Sequence, residues 1–454
     1  MQLSSVIRGL VVAVAVLGAG AAHSEPAPTA APAAAATPAD AQAAADKIAK
    51  EVEQIRGLNY KHPVRVESQS VESFREFIAQ ELDEAVPEAL RRHYGLIVRA
   101  LGLYKGPPIE DFASMMTTVM TSQVGAYYDP KKQAFFVLMN GMPDLMQGAL
   151  YSHELYHALQ DQHFDLTRFM GDGKKMDAHA RNSDAELART AVVEGEATYM
   201  MMLWMTQKMS GKPPPRDMMA MVVAQTSNVS LEKLREALKK PEAAKMIGED
   251  MKGAIDASET IPAFIMDSMM GVYFKGMSFV FAVQDKGWGE VEKLYGEFPP
   301  QSTEHILHPE KWVAHEAPVD FEWPKFEKVK ALRDWELMDD DVLGEFQWRI
   351  VFREQGFAKE AESASAGWGG DRYAVFKRKD SDATLLLLRT AWDSEADAAE
   401  FADVYRKVQA AKSAGASQPM RLVQKGVDVF IVEGGDEKQI DSLLKLVQRA
   451  KHPH

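Results

Sequence analysis

Apolar residues recur along this chain with two different periods, and the periods divide it. From about Ala43 to Gly57 and from Val71 to Gly102, Leu, Ile, Val and Ala fall on one side of a helical projection and charges on the other, which predicts amphipathic helices. Pro108-Ile109-Glu110 opens a further helix through Met120. The character changes at Gln123. Val124–Tyr128 and Gln133–Leu138 are strand-like, and Asp129-Pro130-Lys131-Lys132 is the turn of a predicted hairpin. Asn140-Gly141-Met142-Pro143 is another turn, with proline at a favoured helix start. From Asp144 to Gln162 there is no proline and one glycine, Gly148. Leu145, Met146, Ala149, Leu150, Leu155, Ala158 and Leu159 make this segment apolar on more than one side, as suits a buried helix. Ser183-Asp184-Ala185-Glu186 has the form of a capping box, and helix formers run from it to Met209, before Gly211 and Pro213–Pro215. Pro262 to Asp285 reads as a long apolar helix and Val291 to Tyr295 as a shorter one.

Charge density rises between Lys325 and Asp341, which marks a boundary. Beyond it the pattern is helix, strand, strand, helix, strand, strand, helix. The strands fall at Arg372–Lys377, Thr384–Thr390, Met420–Val423 and Val427–Val432, and the helices near Leu343–Glu354, Ser394–Ala411 and Lys438–Arg449. The fold class expected is therefore α+β: a mainly helical body with a small β-hairpin or sheet over residues 46–335, then a small C-terminal α+β domain over residues 340–454, for which a ferredoxin-like arrangement is one form.

Composition removes several classes of function. The 454 residues suffice for two or three domains with cores of their own. A net charge of −14 with no basic patch argues against nucleic acid as a partner. The absence of cysteine excludes disulfides, thiolate ligands, a cysteine nucleophile and a lipoprotein anchor. Residues 1–24 read as a signal peptide: Arg8 is basic, Leu10–Ala22 is apolar or small, and Ala22-His23-Ser24 is a small-x-small cleavage site. An uncleaved anchor is the alternative. The expected location is periplasmic or secreted, with no stable membrane span after cleavage, since Asp267 and Lys275 interrupt the long apolar helix. Residues 25–45, rich in Ala and Pro, read as a disordered linker.

The chemistry is concentrated in Tyr151-Ser152-His153-Glu154-Leu155-Tyr156-His157. Two histidines four apart on a helix stand one above the other on the same face. That offers a zinc ion two imidazoles, while Glu154 can serve as general base toward the water that zinc activates. A catalytic zinc takes three protein ligands. The third candidate is Glu194, mid-helix in Ala191-Val192-Val193-Glu194-Gly195-Glu196-Ala197-Thr198-Tyr199, where an unpaired carboxylate is costly; Glu196 is the alternative. Gly195 costs about 1 kcal/mol inside a helix, and a close approach of two helices would justify it.

His-Glu-x-x-His followed by Glu-Gly-x-Ala-Thr-Tyr resembles the gluzincin zinc metallopeptidases, in particular aminopeptidases whose ligand glutamate lies in an Asn-Glu-Gly-Phe-Ala-type helix. The resemblance puts Glu194 at the ligand position and implies a zincin-like catalytic domain. Val193 departs from the pattern, as do the 36 residues between His157 and Glu194 and Thr198 in place of the aspartate of Glu-x-x-x-Asp. His-Glu-Leu-x-His-Ala-Leu-Gln-Asp-Gln and the later Ser302-Thr303-Glu304-His305-Ile306-Leu307-His308-Pro309 are similar to uncharacterised bacterial secreted proteins.

A peptidase also needs a donor for the oxyanion of the attacked carbonyl. Tyr273, His305 and His308 are of the right types; the resemblance favours His308, and a structural role beside Pro309 is the plainer reading. The hairpin before the zinc helix offers an edge for extended substrate or is simply structural. His163 and His179 read as surface or supporting residues, and the methionines from Met200 to Met221 as core filling rather than a copper site. The expectation is a secreted zinc metallopeptidase with Zn2+ on His153, His157 and Glu194, with Glu154 and His308 as catalytic residues and a peptide or protein as substrate. The rival is a non-catalytic envelope protein with a structural zinc or a peptide-binding role.

Overall fold

A computed structural model describes residues 38–138, 144–171, 181–227, 261–412 and 419–450. The expected signal peptide, the linker up to residue 37, the turn Asn140–Pro143 and His179 lie outside the described residues. The fold class is α+β. The first half is helical: α1 (Pro38–Arg56), α2 (Val71–Ala85), α3 (Glu88–Ala100), α4 (Phe112–Gln123), α5 (Asp144–Phe164), α6 (Ser183–Ser210), α7 (Arg216–Ser227) and α8 (Ala263–Val283). Helix α1 begins at Pro38, so the expected linker ends earlier than residue 45; proline needs no N–H in a first turn, and Asp40 complements the helix dipole there. The helical stretch expected over 71–102 is divided into two helices. Pro87 holds Val86 in an extended conformation at φ −100°, ψ 122°, and α3 starts afresh. Helix α4 starts at Phe112, capped by Asp111, which accepts from Ser114 N, and not at Pro108.

Strands β2 (Ala126–Asp129) and β3 (Ala134–Val137) form the expected hairpin, with Gln133 at φ 50° in the turn. A strand not expected from sequence, β1 (Arg65–Ser68), pairs parallel with β3, leaving β2 at an edge of a three-stranded sheet.

Helix α6 is capped by Asn182, which accepts from Ala185 N. Ser183 is not the cap: its N–H and hydroxyl donate to Asp341. At the far end Gly211, at φ 73°, closes the helix. Helices α5, α6 and α8 approach closely through glycine. A Cβ on Gly148 would stand 2.2 Å from the Trp204 ring, and one on Gly195 2.1 Å from the Gly276 carbonyl carbon. Short helices follow, α9 (Trp288–Lys293), α10 (Thr303–Leu307) and α11 (Pro309–Val313).

The C-terminal part is a five-stranded sheet in the order β4-β5-β6-β8-β7, built of β4 (Trp335–Asp341), β5 (Trp368–Arg378), β6 (Thr384–Trp392), β7 (Met420–Lys425) and β8 (Asp428–Gly434). Helices α12 (Gly344–Glu354), α13 (Glu395–Lys412) and α14 (Glu437–Val447) complete it. Side chains alternate across the sheet. Leu386, Leu388, Val429 and Ile431 join the core of the helical body, with α12 and α13, while Leu385, Leu387, Phe430 and Val432 pack under α14. The helical body and the inner sheet face thus share one core, and the expected boundary at 335–340 falls inside β4. Every pairing within this sheet is antiparallel. The β6-α13-β7 unit has β8 inserted between parallel strands, as in a split β-α-β. β4 and β5, joined by α12, are instead antiparallel neighbours, so the ferredoxin-like order is not followed.

Candidate metal centre

Helix α5 is buried from Gly148 through Gln160 without a break, on all its faces. It therefore cannot leave its polar side chains to water; each needs a protein or ligand partner. His153 and His157 project toward Glu194 of α6. His153 Nε2 and His157 Nε2 are 3.0 Å apart, and each is 3.3 Å from Glu194 Oε2. Two donor atoms bound to one tetrahedral ion at about 2.0–2.1 Å stand about 3.3–3.4 Å from each other. The triangle has nearly those sides, and the three residues form a group able to hold a metal ion.

The protein groups alone set a strained electrostatic balance. Burial drives the Glu194 carboxyl toward neutrality, but His157 and His153 overcome it and hold its pKa down at about 2. Burial also acts against a charge on His157, yet Glu194 outweighs it and the pKa rises to about 9. In His153 burial prevails and the pKa is lowered. Glu154 is pushed up to about 8, chiefly by burial and further by the charge of Glu194, against the pull of His157 and the Tyr128 N–H. Its Oε2 accepts from Tyr128 N at 2.9 Å, on the edge strand β2, while Oε1 has no hydrogen-bond partner among the described residues.

Of the three candidate oxyanion donors, the fold brings Tyr273 to the cluster. Its ring stacks on His153 with centroids 6.0 Å apart. His305 is bonded to backbone on both sides: Nε2 lies 2.6 Å from Glu316 O, and Nδ1 accepts from Gln301 N. His308, favoured by the resemblance, makes its hydrogen bonds to other residues than the triangle. Its Nε2 lies 3.0 Å from Glu345 Oε1, beside Arg349, and that hydrogen bond raises its pKa. The short helix before it docks on Asp184 through Thr303, roughly 15 Å along α6 from Glu194 at 1.5 Å per residue. His163 lies at the surface against Asn59 O. Met200, Met201, Met202 and Met205 are core residues, whereas Met209, Met218 and Met221 are exposed.

Glu196 turns away from the cluster. Its carboxylate accepts from Tyr156, Arg56, Gln160 and Tyr295. Gln160 and Arg56, which sequence reasoning passed over, are thereby part of the centre's surroundings. Gln160 was legible in principle, since it follows His157 by three residues on the same helical face. Arg56 was not, because nothing local in α1 points to a partner in α6.

A second acidic group, Glu304, Glu316 and Asp393, also clusters. Lys311 Nζ bonds all three, at 2.5, 2.8 and 2.5 Å, so an ammonium already supplies the cation. No described helix is long and apolar enough to cross a membrane.

Residues 333–444 match a family described as a domain of unknown function (DUF8575). The match begins just before β4 and ends within α14, so it covers the C-terminal sheet and leaves the cluster outside. Neither the curated proteins nor the solved structures contain a match to the chain.

Proposed function

We propose that the protein is a gluzincin-like zinc metallopeptidase, periplasmic or secreted, that hydrolyses peptide bonds in a peptide or protein substrate. The observation that carries this reading is the triangle of His153, His157 and Glu194 donor atoms with the Glu154 carboxyl beside it. When bound, zinc supplies Lewis acidity, activating water near neutral pH and polarising a carbonyl, and its charge favours the ionised form of a neighbouring carboxyl. Glu154 then takes a proton from the attacking water and passes it to the leaving amine. Its unpartnered Oε1 is the atom available for that work. Tyr273, stacked on His153, is the donor of choice for the oxyanion.

One observation favours the second reading, a non-catalytic envelope protein with a structural zinc or a peptide-binding role. The cluster is closed: the His157 side chain, its most exposed member, is 7% accessible. The test is metal content and peptide-library hydrolysis for the wild type, Glu154→Gln and His157→Ala. Zinc kept in Glu154→Gln and lost in His157→Ala, with cleavage by the wild type alone, is the expected result. Zinc without any cleavage favours a structural zinc, and a wild type that binds no zinc refutes the peptidase and the structural zinc alike and leaves the peptide-binding role.

A further inference from the structure

His157 Nδ1 meets Gln160 Oε1 at 2.8 Å. Which end of the Gln160 amide faces the histidine is decided on its other side. Gln160 Nε2 lies 3.1 Å from Val193 O, 2.9 Å from Glu196 Oε2 and 2.7 Å from Tyr295 Oη. A carbonyl and a carboxylate only accept, and the Tyr295 hydroxyl spends its proton on Glu196 Oε2 at 2.6 Å. A reversed amide would set oxygen against oxygen at all three places. Glu196 is itself pinned, since its Oε1 accepts from Tyr156 Oη at 2.5 Å and Arg56 Nε at 3.4 Å. Gln160, Glu196, Tyr156 and Arg56 are all buried, so water cannot substitute for any of these partners.

We infer that Gln160, oriented by Glu196, is a positioning residue that sets the proton of His157 on Nδ1 and so leaves the Nε2 lone pair aimed at the point shared with His153 and Glu194. This rests on the metal reading above. Gln160 Oε1 can only accept, so His157 Nδ1 must donate, and the neutral ring then carries its lone pair on Nε2. Partners of this kind fix ring orientation and raise ligand basicity. His153 has no side-chain partner of this kind; the nearest group to its ring on that side is the Ala197 backbone, in poorer geometry. The second glutamate of Glu-Gly-Glu thus acts on the centre through an amide, while the first touches it directly.

The test compares zinc affinity, by chelator competition with the full chain, in the wild type, Gln160→Met, Gln160→Glu and Glu196→Gln. Gln160→Met keeps the bulk and loses the acceptor; affinity should fall about 10–100-fold. Gln160→Glu keeps an acceptor at Nδ1 while disturbing the rest of the network; affinity should stay near wild type even where metal-free stability falls. Glu196→Gln removes one acceptor and releases the Tyr295 hydroxyl while Val193 O still opposes reversal, so affinity should fall, but by less than in Gln160→Met. A merely structural role would instead make affinity follow stability through the series. Histidine-selective 15N spectra of the zinc-loaded wild type supply a reading that needs no variant: the ring of one zinc-bound histidine should hold a protected, hydrogen-bonded Nδ1 proton. Absence of that proton, or wild-type affinity in a folded Gln160→Met, overturns the inference while leaving the metal reading in place. A wild type that binds no zinc removes both.

Discussion

Gly195→Ala puts the geometry of the centre under the most direct strain, because Gly195 adjoins Glu194 at the crossing of α6 and α8. The added Cβ would lie 2.1 Å from Gly276 C, 2.5 Å from Met277 N and 2.6 Å from Gly276 Cα, all of them backbone. Carbon atoms rest at about 3.5–4.0 Å, so the helices must part by about 1.4–1.9 Å at this point. No rotamer change can absorb that. Overpacking of this kind costs about 1–3 kcal/mol, and the better helix propensity of alanine returns up to about 1 kcal/mol. With backbone on both sides the upper end applies, which gives a net loss of about 2 kcal/mol. The same displacement carries Glu194 off the triangle, where tolerance is about 0.2 Å, so zinc affinity should drop about tenfold or more. Guanidinium unfolding of the metal-free protein reads the first quantity and chelator competition the second. Gly289→Ala, which meets nothing within 4 Å, is the control and should lose no stability. An unfolding midpoint for Gly195→Ala at or above wild type would refute the reasoning.

Three further outcomes follow from the same structure. Arg181→Ala leaves buried Asp339 and Asp341 without their shared guanidinium and should lower stability by about 3–5 kcal/mol; a loss under about 1 kcal/mol in denaturant titration would mean that those ion pairs hold little. In the metal-free protein, Glu154 has its pKa raised to about 8 and His157 to about 9, so the folded state binds more protons than the unfolded one and stability falls as pH rises through about 5 to 9. Glu194, held near 2, contributes stability that is lost as pH falls from its ordinary range toward 2. Thermal melts of chelator-treated Glu154→Gln should show a flatter decline between pH 5 and 8, and an unchanged slope would count against the burial of Glu154 as its cause. Zinc at about a hundredfold its dissociation constant should add about 2.7 kcal/mol to unfolding, and a melting temperature indifferent to zinc or chelator would contradict a site in the folded protein.

Periodic elements were readable from the chain, since α5, α6, α8 and most of the C-terminal strands and helices need only apolar spacing, caps and breakers. The triangle was readable too, as far as helical spacing joins His153 to His157 and an uncomfortable buried carboxylate marks Glu194. What failed was long-range. Strand β4 passed for a charged boundary because Asp339, Asp340 and Asp341 look like surface residues until Arg181 and Arg372 are set against them. The partners of His308 were not legible either, because a histidine carries the same side chain whether it faces a cleft or Glu345. Strand β1 is four residues long and offers too little alternation to stand out. Ser183 had the cap signature, but Asp341 claimed both its polar groups, and Asn182 took the helix instead.

The bonds from Arg181 to Asp339 and Asp341 link residues 158 and 160 positions apart. A chain emerging from its N-terminus makes α5 and α6 long before it makes their anchor. Contacts of such separation form late, after the entropy of closing the intervening loop has been met. The start of the helix bearing Glu194 therefore lacks this anchor until β4 has joined its sheet, with Thr303 on Asp184 as the earlier tether. The helix bearing Glu194 thus receives its last anchor from the C-terminal sheet, and a protein interrupted before β4 would hold the third corner with one tether fewer.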